Sequence, residues 1–198
     1  MVSYPGIGSE VPFGLVLHNT SPRLAALGVQ VTVTFSVKGK ATNWYPSSFL
    51  LTGIPAGGNF YLGGSSLGNL KPTTMRVVIH VERTSSGHLV LPPVTKAAIS
   101  GSLLPKASVT IENPYSQQVM SKSAGVAGTL YVIYFGSHGQ VVGSDQLDLQ
   151  SQLGFPAAGK RQTYSATTGA PANAVSVHAS VDPCSNSVGL NTSCVVFQ

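Results

Sequence analysis

Three groupings in this sequence hold residue types that can do chemistry. Asp145 and Asp148 are the close pair among six acidic residues, and two acids facing one bond are what glycoside hydrolysis requires. On a strand, positions three apart point to opposite faces, so these two do not converge without a bulge, and a solvated strand is their expected setting. Gly64-Ser65-Ser66-Leu67-Gly68 matches the Gly-x-Ser-x-Gly string of a nucleophile elbow. That elbow needs a strained strand-to-helix turn, and Asn69-Leu70-Lys71-Pro72 cannot begin the helix, so the string is expected to be a Gly/Ser loop. The histidines His18, His80, His88, His138 and His178 include no pair at metal-ligand spacing. A blue-copper arrangement needs His or Met just beyond the ligand Cys, whereas Cys194 is followed only by Val195-Val196-Phe197-Gln198. The expectation is therefore of no catalytic residue, no metal site and no cofactor.

Two further groupings concern linkage and contact. Cys184 and Cys194 are the only cysteines, and they bracket a polar stretch without metal-ligand neighbours. Such a pair suits a disulfide in an oxidising compartment, with two reduced cytosolic thiols as the alternative. Closing a loop of about 11 residues would stabilise the fold by roughly 2.8 kcal/mol. Asn19-Thr20-Ser21 and Asn191-Thr192-Ser193 are glycosylation sequons, although Asn19 has a plainer role in capping the turn after its strand, with Asn113 doing the same further on. Trp44-Tyr45-Pro46 sits in the loop after a long strand and beside Tyr61 in the following segment. Trp44, Tyr45 and Tyr61 are candidate contacts for a protein or a sugar; equally, Trp44 covers the end of a core.

The elements that must position these residues are strands. Val29, Val31, Val33, Phe35 and Val37 alternate with polar residues, and Met75, Val77, Ile79 and Val81 do the same, so one face of each strand is expected to meet a core. Thr129 to Phe135 is nearly continuous in apolar residues, which suits a strand covered on both faces by the linker or by a partner domain. Gly or Pro interrupts most windows that would carry a helical period. The landmarks recur in the same order: Asn19 and Asn113, Ile54-Pro55-Ala56-Gly57 and Phe155-Pro156-Ala157-Ala158-Gly159, His80 and His178. They lie about 95 to 100 residues apart, too far and too unevenly for a solenoid but right for two small domains. The predicted organisation is an all-β chain of two tandem antiparallel β-sandwich domains, 1–84 and 103–198, joined by a linker, 85–102, stiffened at Pro92-Pro93.

Composition limits the partners. Charged residues are 9% of the chain against a usual share of about 25%, and the net charge of +5 comes from a shortage of acids. The basic residues are scattered, with Lys38 near Lys40 at a hairpin tip and Lys160-Arg161 after a turn, so no phosphate-binding face and no nucleic-acid partner is expected. The apolar stretches fall far short of the roughly 18 residues of a membrane-spanning helix. Met1-Val2-Ser3-Tyr4-Pro5-Gly6 has neither the basic nor the apolar region of a signal peptide. The chain is thus either cytoplasmic or begins after a removed leader or anchor, and the cysteine pair favours the second.

Tyr131-Val132-Ile133-Tyr134-Phe135-Gly136-Ser137-His138-Gly139-Gln140-Val141-Val142-Gly143, followed by Leu147-Asp148-Leu149 and Pro156-Ala157-Ala158-Gly159, resembles the FxLYD-type immunoglobulin-like domains of bacterial and archaeal exported proteins. Phe135-Gly136 stands where that family tends to carry Tyr-Asp. The first copy shares the Asn after its first strand, Val31-Thr32-Val33-Thr34-Phe35 and the Ile-Pro-Ala-Gly turn. The resemblance implies two immunoglobulin-like sandwiches, secreted or held at a cell surface, with no family catalytic residues to carry over. The function expected is a non-enzymatic structural or adhesive module. The alternatives are an accessory domain of a carbohydrate-active enzyme using Asp145 or Asp148, and a filament subunit assembling through strand edges.

Overall fold

The computed structural model of the chain describes residues 2–4, 8–38, 40–41, 47–68, 73–101, 105–115, 128–149, 154–166, 169–183, 185–186 and 189–190. Among the described residues all fifteen elements are β-strands. The first seven are β1 (Val2–Tyr4), β2 (Gly8–His18), β3 (Ala25–Val37), β4 (Lys40–Ala41), β5 (Ser47–Ile54), β6 (Asn59–Gly68) and β7 (Thr74–Ser85). The others are β8 (Val94–Ser100), β9 (Lys106–Glu112), β10 (Thr129–Phe135), β11 (Val141–Asp148), β12 (Arg161–Ser165), β13 (Ser176–Asp182), β14 (Ser185–Asn186) and β15 (Gly189–Leu190). All pairings are antiparallel. Among the described residues no helix is long and apolar enough to cross a membrane.

Two pairs of facing sheets enclose two hydrophobic cores. In the first half the sheet β1-β2-β6 faces a sheet in which β3 is flanked by β7 on one side and by β5 and β4 on the other; in the second, β8-β9-β12 faces β11-β10-β13. Alternation on β3 puts Val29, Val31, Val33 and Phe35 against Phe13 and Leu17 of β2 and Phe60 and Leu62 of β6. On the other side of the molecule Ala107, Val109 and Ile111 of β9 meet Leu130, Val132 and Tyr134 of β10 and Val177, Ala179 and Val181 of β13.

The repeat holds down to single hydrogen bonds. The Asn19 N–H donates to the Gly58 carbonyl at 3.0 Å, and the Asn113 N–H to the Lys160 carbonyl at 2.9 Å. Each side-chain oxygen then accepts the N–H two residues on, at Ser21 and Tyr115, and each amide donates to a carbonyl of the Pro-containing turn, Pro55 at 3.0 Å and Pro156 at 2.9 Å. Asn19 also donates to the Leu24 and Ile54 carbonyls, so the nitrogen a glycan would take is committed to the turn. Gly57 and Gly159 close these turns at φ of 63° and 65°, a conformation that favours glycine.

Three expectations change. The segment 85–102 is not only a linker: it contains β8, which pairs with β9 and supplies a third strand to the second sandwich, and it contributes Leu89 to that core. The string 64–68 is not a loop but the end of β6, paired with β2 from Ser9–Gly68 to His18–Asn59. Finally, the apolar phase of β7 meets a core only at Val77. Met75, Ile79 and Val81 are 44%, 51% and 39% exposed, although their neighbours across β3, Phe35, Val31 and Val29, are buried. The cover differs between the halves: β8 runs seven residues beside β9 and packs over β13, whereas among the described residues the strand beside β2 is β1, paired at Gly8 to Glu10.

Candidate functional site

The chemistry-bearing side chains gather at the seam between the two sandwiches. Sheet β1-β2-β6 lies back to back with sheet β11-β10-β13, which gives β10 its second cover. Leu130, Val132 and Tyr134 point into the second core, while Tyr131 points into the first, edge-on to Phe49 and Phe60 at 6.2 and 5.7 Å between ring centres. Ala25 and Leu27 of β3 belong in turn to the second core, so each half completes the other. Glycines permit the approach. A side chain at Gly63 would run into the Val132 carbonyl oxygen, with Ser144 Cβ at 3.0 Å and the Asp145 carbonyl oxygen at 3.2 Å.

Polar side chains of β13 and β11 stitch this seam. On β13 the apolar phase faces the second core, leaving His178, Ser180 and Asp182 on the opposite side, towards β5 and β6. Asp182 is fully buried and accepts from the Thr52 backbone N–H at 2.8 Å and from the Thr52 hydroxyl. Ser180 Oγ accepts the Tyr61 N–H at 2.9 Å, and the Ser144 hydroxyl donates to the Gly64 carbonyl at 2.7 Å. These bonds satisfy backbone groups of the first half that its own ladders leave free. The phase of His178, Ser180 and Asp182 looks solvent-facing by composition, and the one hint to the contrary is a carboxylate in a chain so poor in them.

At the rim of the seam three rings stack. Tyr61 and His178 lie 4.9 Å apart at 32° between planes, and His178 meets Phe135 edge-on at 5.3 Å. Tyr61 and Phe135 are half-buried and His178 is exposed, which leaves a ring surface open to a flat apolar or sugar face. Of the three aromatic candidates Tyr61 is thus placed at the seam; Trp44 and Tyr45 lie outside the described residues. So do Cys184, Cys194 and Asn191, although the hairpin of β14 and β15 falls between the two cysteines.

Asp145 and Asp148 do point to opposite faces of β11, but only Asp148 is solvated. Asp145 is buried on the side of the second core, where it accepts the Gln146 N–H at 2.9 Å and where its charge bears on Tyr134. Burial first, and that charge second, raise the Tyr134 phenol. Burial and the charge of Asp182 do the same to Tyr115, whose hydroxyl donates to the Val90 carbonyl at 2.7 Å. Burial pushes Tyr164 up to about 12, its hydroxyl donating to the Gly154 carbonyl. Glu112 pairs with Arg161 at 2.7 Å on the surface. Among the described residues no three of His, Cys, Asp and Glu are grouped to hold a metal ion. In comparisons with protein families, characterised proteins and solved structures, nothing matches this chain.

Proposed function

We propose that this chain is a non-enzymatic structural or adhesive module of an exported or cell-surface protein, built from two immunoglobulin-like sandwiches. The observation that carries the reading is the seam. Asp182, Ser180 and Ser144, which elsewhere would be candidates for a site, are bonded across it to Thr52, Tyr61 and Gly64, joining the sandwiches through polar contacts as well as packing. Two small sandwiches locked in this way present fixed surfaces, and a rigid surface is what a load-bearing or adhesive module needs. The ring stack of Tyr61, His178 and Phe135 offers such a surface to a sugar face or to an apolar side chain of a protein partner. The resemblance to FxLYD-type domains and the pair Cys184 and Cys194, read as a disulfide, favour an oxidising location outside the cytoplasm.

The test is to incubate the protein with insoluble polysaccharides and with whole cells, measuring bound protein and released reducing ends together. Binding without release, weakened at least about tenfold by Tyr61→Ala with His178→Ala, is the expected result. Release of reducing ends that stops in Asp145→Asn or Asp148→Asn would establish the carbohydrate-active alternative instead.

A further inference from the structure

The open strand of the first sandwich is nearly a palindrome. β7 runs twelve residues against β3 in one register from Ser85–Ala25 to Thr74–Ser36, missing only the pair at Glu82 and Gly28, and among the described residues no other strand pairs with it. Its outer edge therefore carries a row of backbone donors and acceptors with no proline and no bulge to interrupt them, the arrangement that recruits another strand. Odd-numbered positions, Met75 to Val81, form an aliphatic phase exposed at all but Val77, and even-numbered ones, Arg76, Val78, His80 and Glu82, the outward phase. Among the described residues the one ion pair is Arg161 with Glu112, so neither Arg76 nor Glu82 forms an ion pair there.

We infer that β7 pairs edge to edge with β7 of a second copy, antiparallel, about a two-fold axis through Ile79. Directly opposed residues of an antiparallel pair share a face, so the sandwiches of both copies fall on the same side of the joined sheet only if odd positions oppose odd ones. With Ile79 opposite itself, Val77 faces Val81 twice, Thr74 faces Thr84 twice, and Arg76 faces Glu82 twice. Moving the axis to Val78 sets Arg76 against His80 and Glu82 against Thr74. Moving it to His80 sets Glu82 against Val78 and one imidazole against the other. Of these registers the Ile79 one alone sets Arg76 against Glu82; it also matches Val77 to Val81, while Met75 faces Arg83 and Val78 faces His80. The contact is isologous and uses up both edges, so it closes at a dimer and does not propagate into a filament. This dimer goes beyond the module reading and does not depend on it, since it involves neither the seam nor the ring stack.

The test is sedimentation velocity of the full chain across a concentration series. Wild type should form a dimer at sub-millimolar concentration. Glu82→Arg and Arg76→Glu, each of which sets two pairs of like charges face to face, should each weaken the dimer about tenfold or more, and the double variant should restore it. That rescue reports the register, because charge reversal restores complementarity only where position 76 faces position 82. Glu82 lies against Gly28, so should Glu82→Arg misfold, Ile79→Lys, which opposes two ammonium groups on the axis, should give a folded monomer by circular dichroism. A wild-type monomer up to millimolar concentration, a dimer indifferent to Ile79→Lys, single charge variants without effect, or species that grow beyond the dimer would each overturn the inference.

Discussion

Replacing Gly63 by alanine adds one methyl group at the place where β6 crosses β10 and β11, and its effect can be worked from what that methyl meets. The Val132 carbonyl oxygen lies inside the distance that real Cβ atoms keep, Ser144 Cβ is at 3.0 Å and the Asp145 carbonyl oxygen at 3.2 Å. None of these is the far end of a flexible side chain, so relief requires the strands themselves to part. Overpacking of this kind costs about 1 to 3 kcal/mol. At about 2 to 4 °C per kcal/mol for a chain of this size, the midpoint should fall by roughly 2 to 12 °C. The sign is diagnostic, because glycine in a strand interior is ordinarily a liability and Gly→Ala without a collision stabilises by about 0.4 to 1 kcal/mol. Gly14 is the milder comparison: a methyl there meets side-chain atoms and no backbone, Ile133 Cγ2 at 2.7 Å and Cδ1 at 3.2 Å and Val141 Cγ1 at 3.0 Å, so relief there does not require the strands to part. Urea and thermal unfolding of Gly63→Ala, Gly14→Ala and wild type should rank Gly63→Ala clearly last. A Gly63→Ala protein as stable as wild type would refute the close crossing of the two sheets and with it the account of how the halves are joined.

Asp182→Ala should lower stability by about 3 kcal/mol in denaturant titration, since it leaves the Thr52 N–H and hydroxyl without their charged acceptor, while Asp182→Asn should lose less. Tyr134→Phe should raise stability by about 1 kcal/mol, because the buried Tyr134 hydroxyl has no hydrogen-bond partner and removing it removes that penalty. The folded-state phenols of Tyr115, Tyr134 and Tyr164 are raised above the ordinary value near 10, so their stabilisation is whole below that pH and declines as the pH climbs towards and past about 12. Absorbance at 295 nm followed with circular dichroism should show these three ionising only as the protein unfolds; their titration near 10 in folded protein would contradict the burial. Fragments 1–84 and 85–198 produced separately should each unfold with low cooperativity and regain a sharp transition when mixed, because Tyr131 belongs to the first core and Ala25 and Leu27 to the second.

The strands and their repeat were legible because local chemistry decides them. The alternation of β3 and the two-faced apolar run of β10 fall where the period places them, and Asn19 and Asn113 cap equivalent turns through equivalent bonds. What alternation does not carry is the width of the sheet that comes to lie opposite. β7 has the same apolar period as β3, yet of that phase only Val77 packs against the core while Met75, Ile79 and Val81 stay exposed. The reverse holds on β13, where His178, Ser180 and Asp182 look like a water-facing phase and become the stitching of the seam. β8 was hidden by its setting, since Pro92-Pro93 just before it gives the whole segment the composition of a spacer. Glycines 63 and 64 were likewise ambiguous: flexibility and close approach favour the same residue, and only the partner strand tells them apart.

Comparing the two copies explains why they are no longer interchangeable. Both closing strands, β7 and β13, lie beside the central strand of their sheet and oppose a polar phase to an apolar one. In the second copy the apolar phase is covered by β8 and its own core, and of the polar phase Ser180 and Asp182 are covered by β5 and β6 of the first while His178 stays exposed at the rim. In the first copy Val77 alone of the apolar phase packs against a core, and β7 stands on the far side of β3 from β5, whose Thr52 and Thr32-facing Ser48 look towards other partners. An uncovered strand of this length is ordinarily selected against unless it is blunted by charge or meets a partner. The charges on β7 do not blunt it uniformly. Arg76 and Glu82 sit at equal distances on either side of Ile79, so they repel most foreign strands and most registers of the same strand while accepting one. The exposed face and the symmetry of the charges on its edge thus bear on the same strand, and the second is what makes the first tolerable in solution.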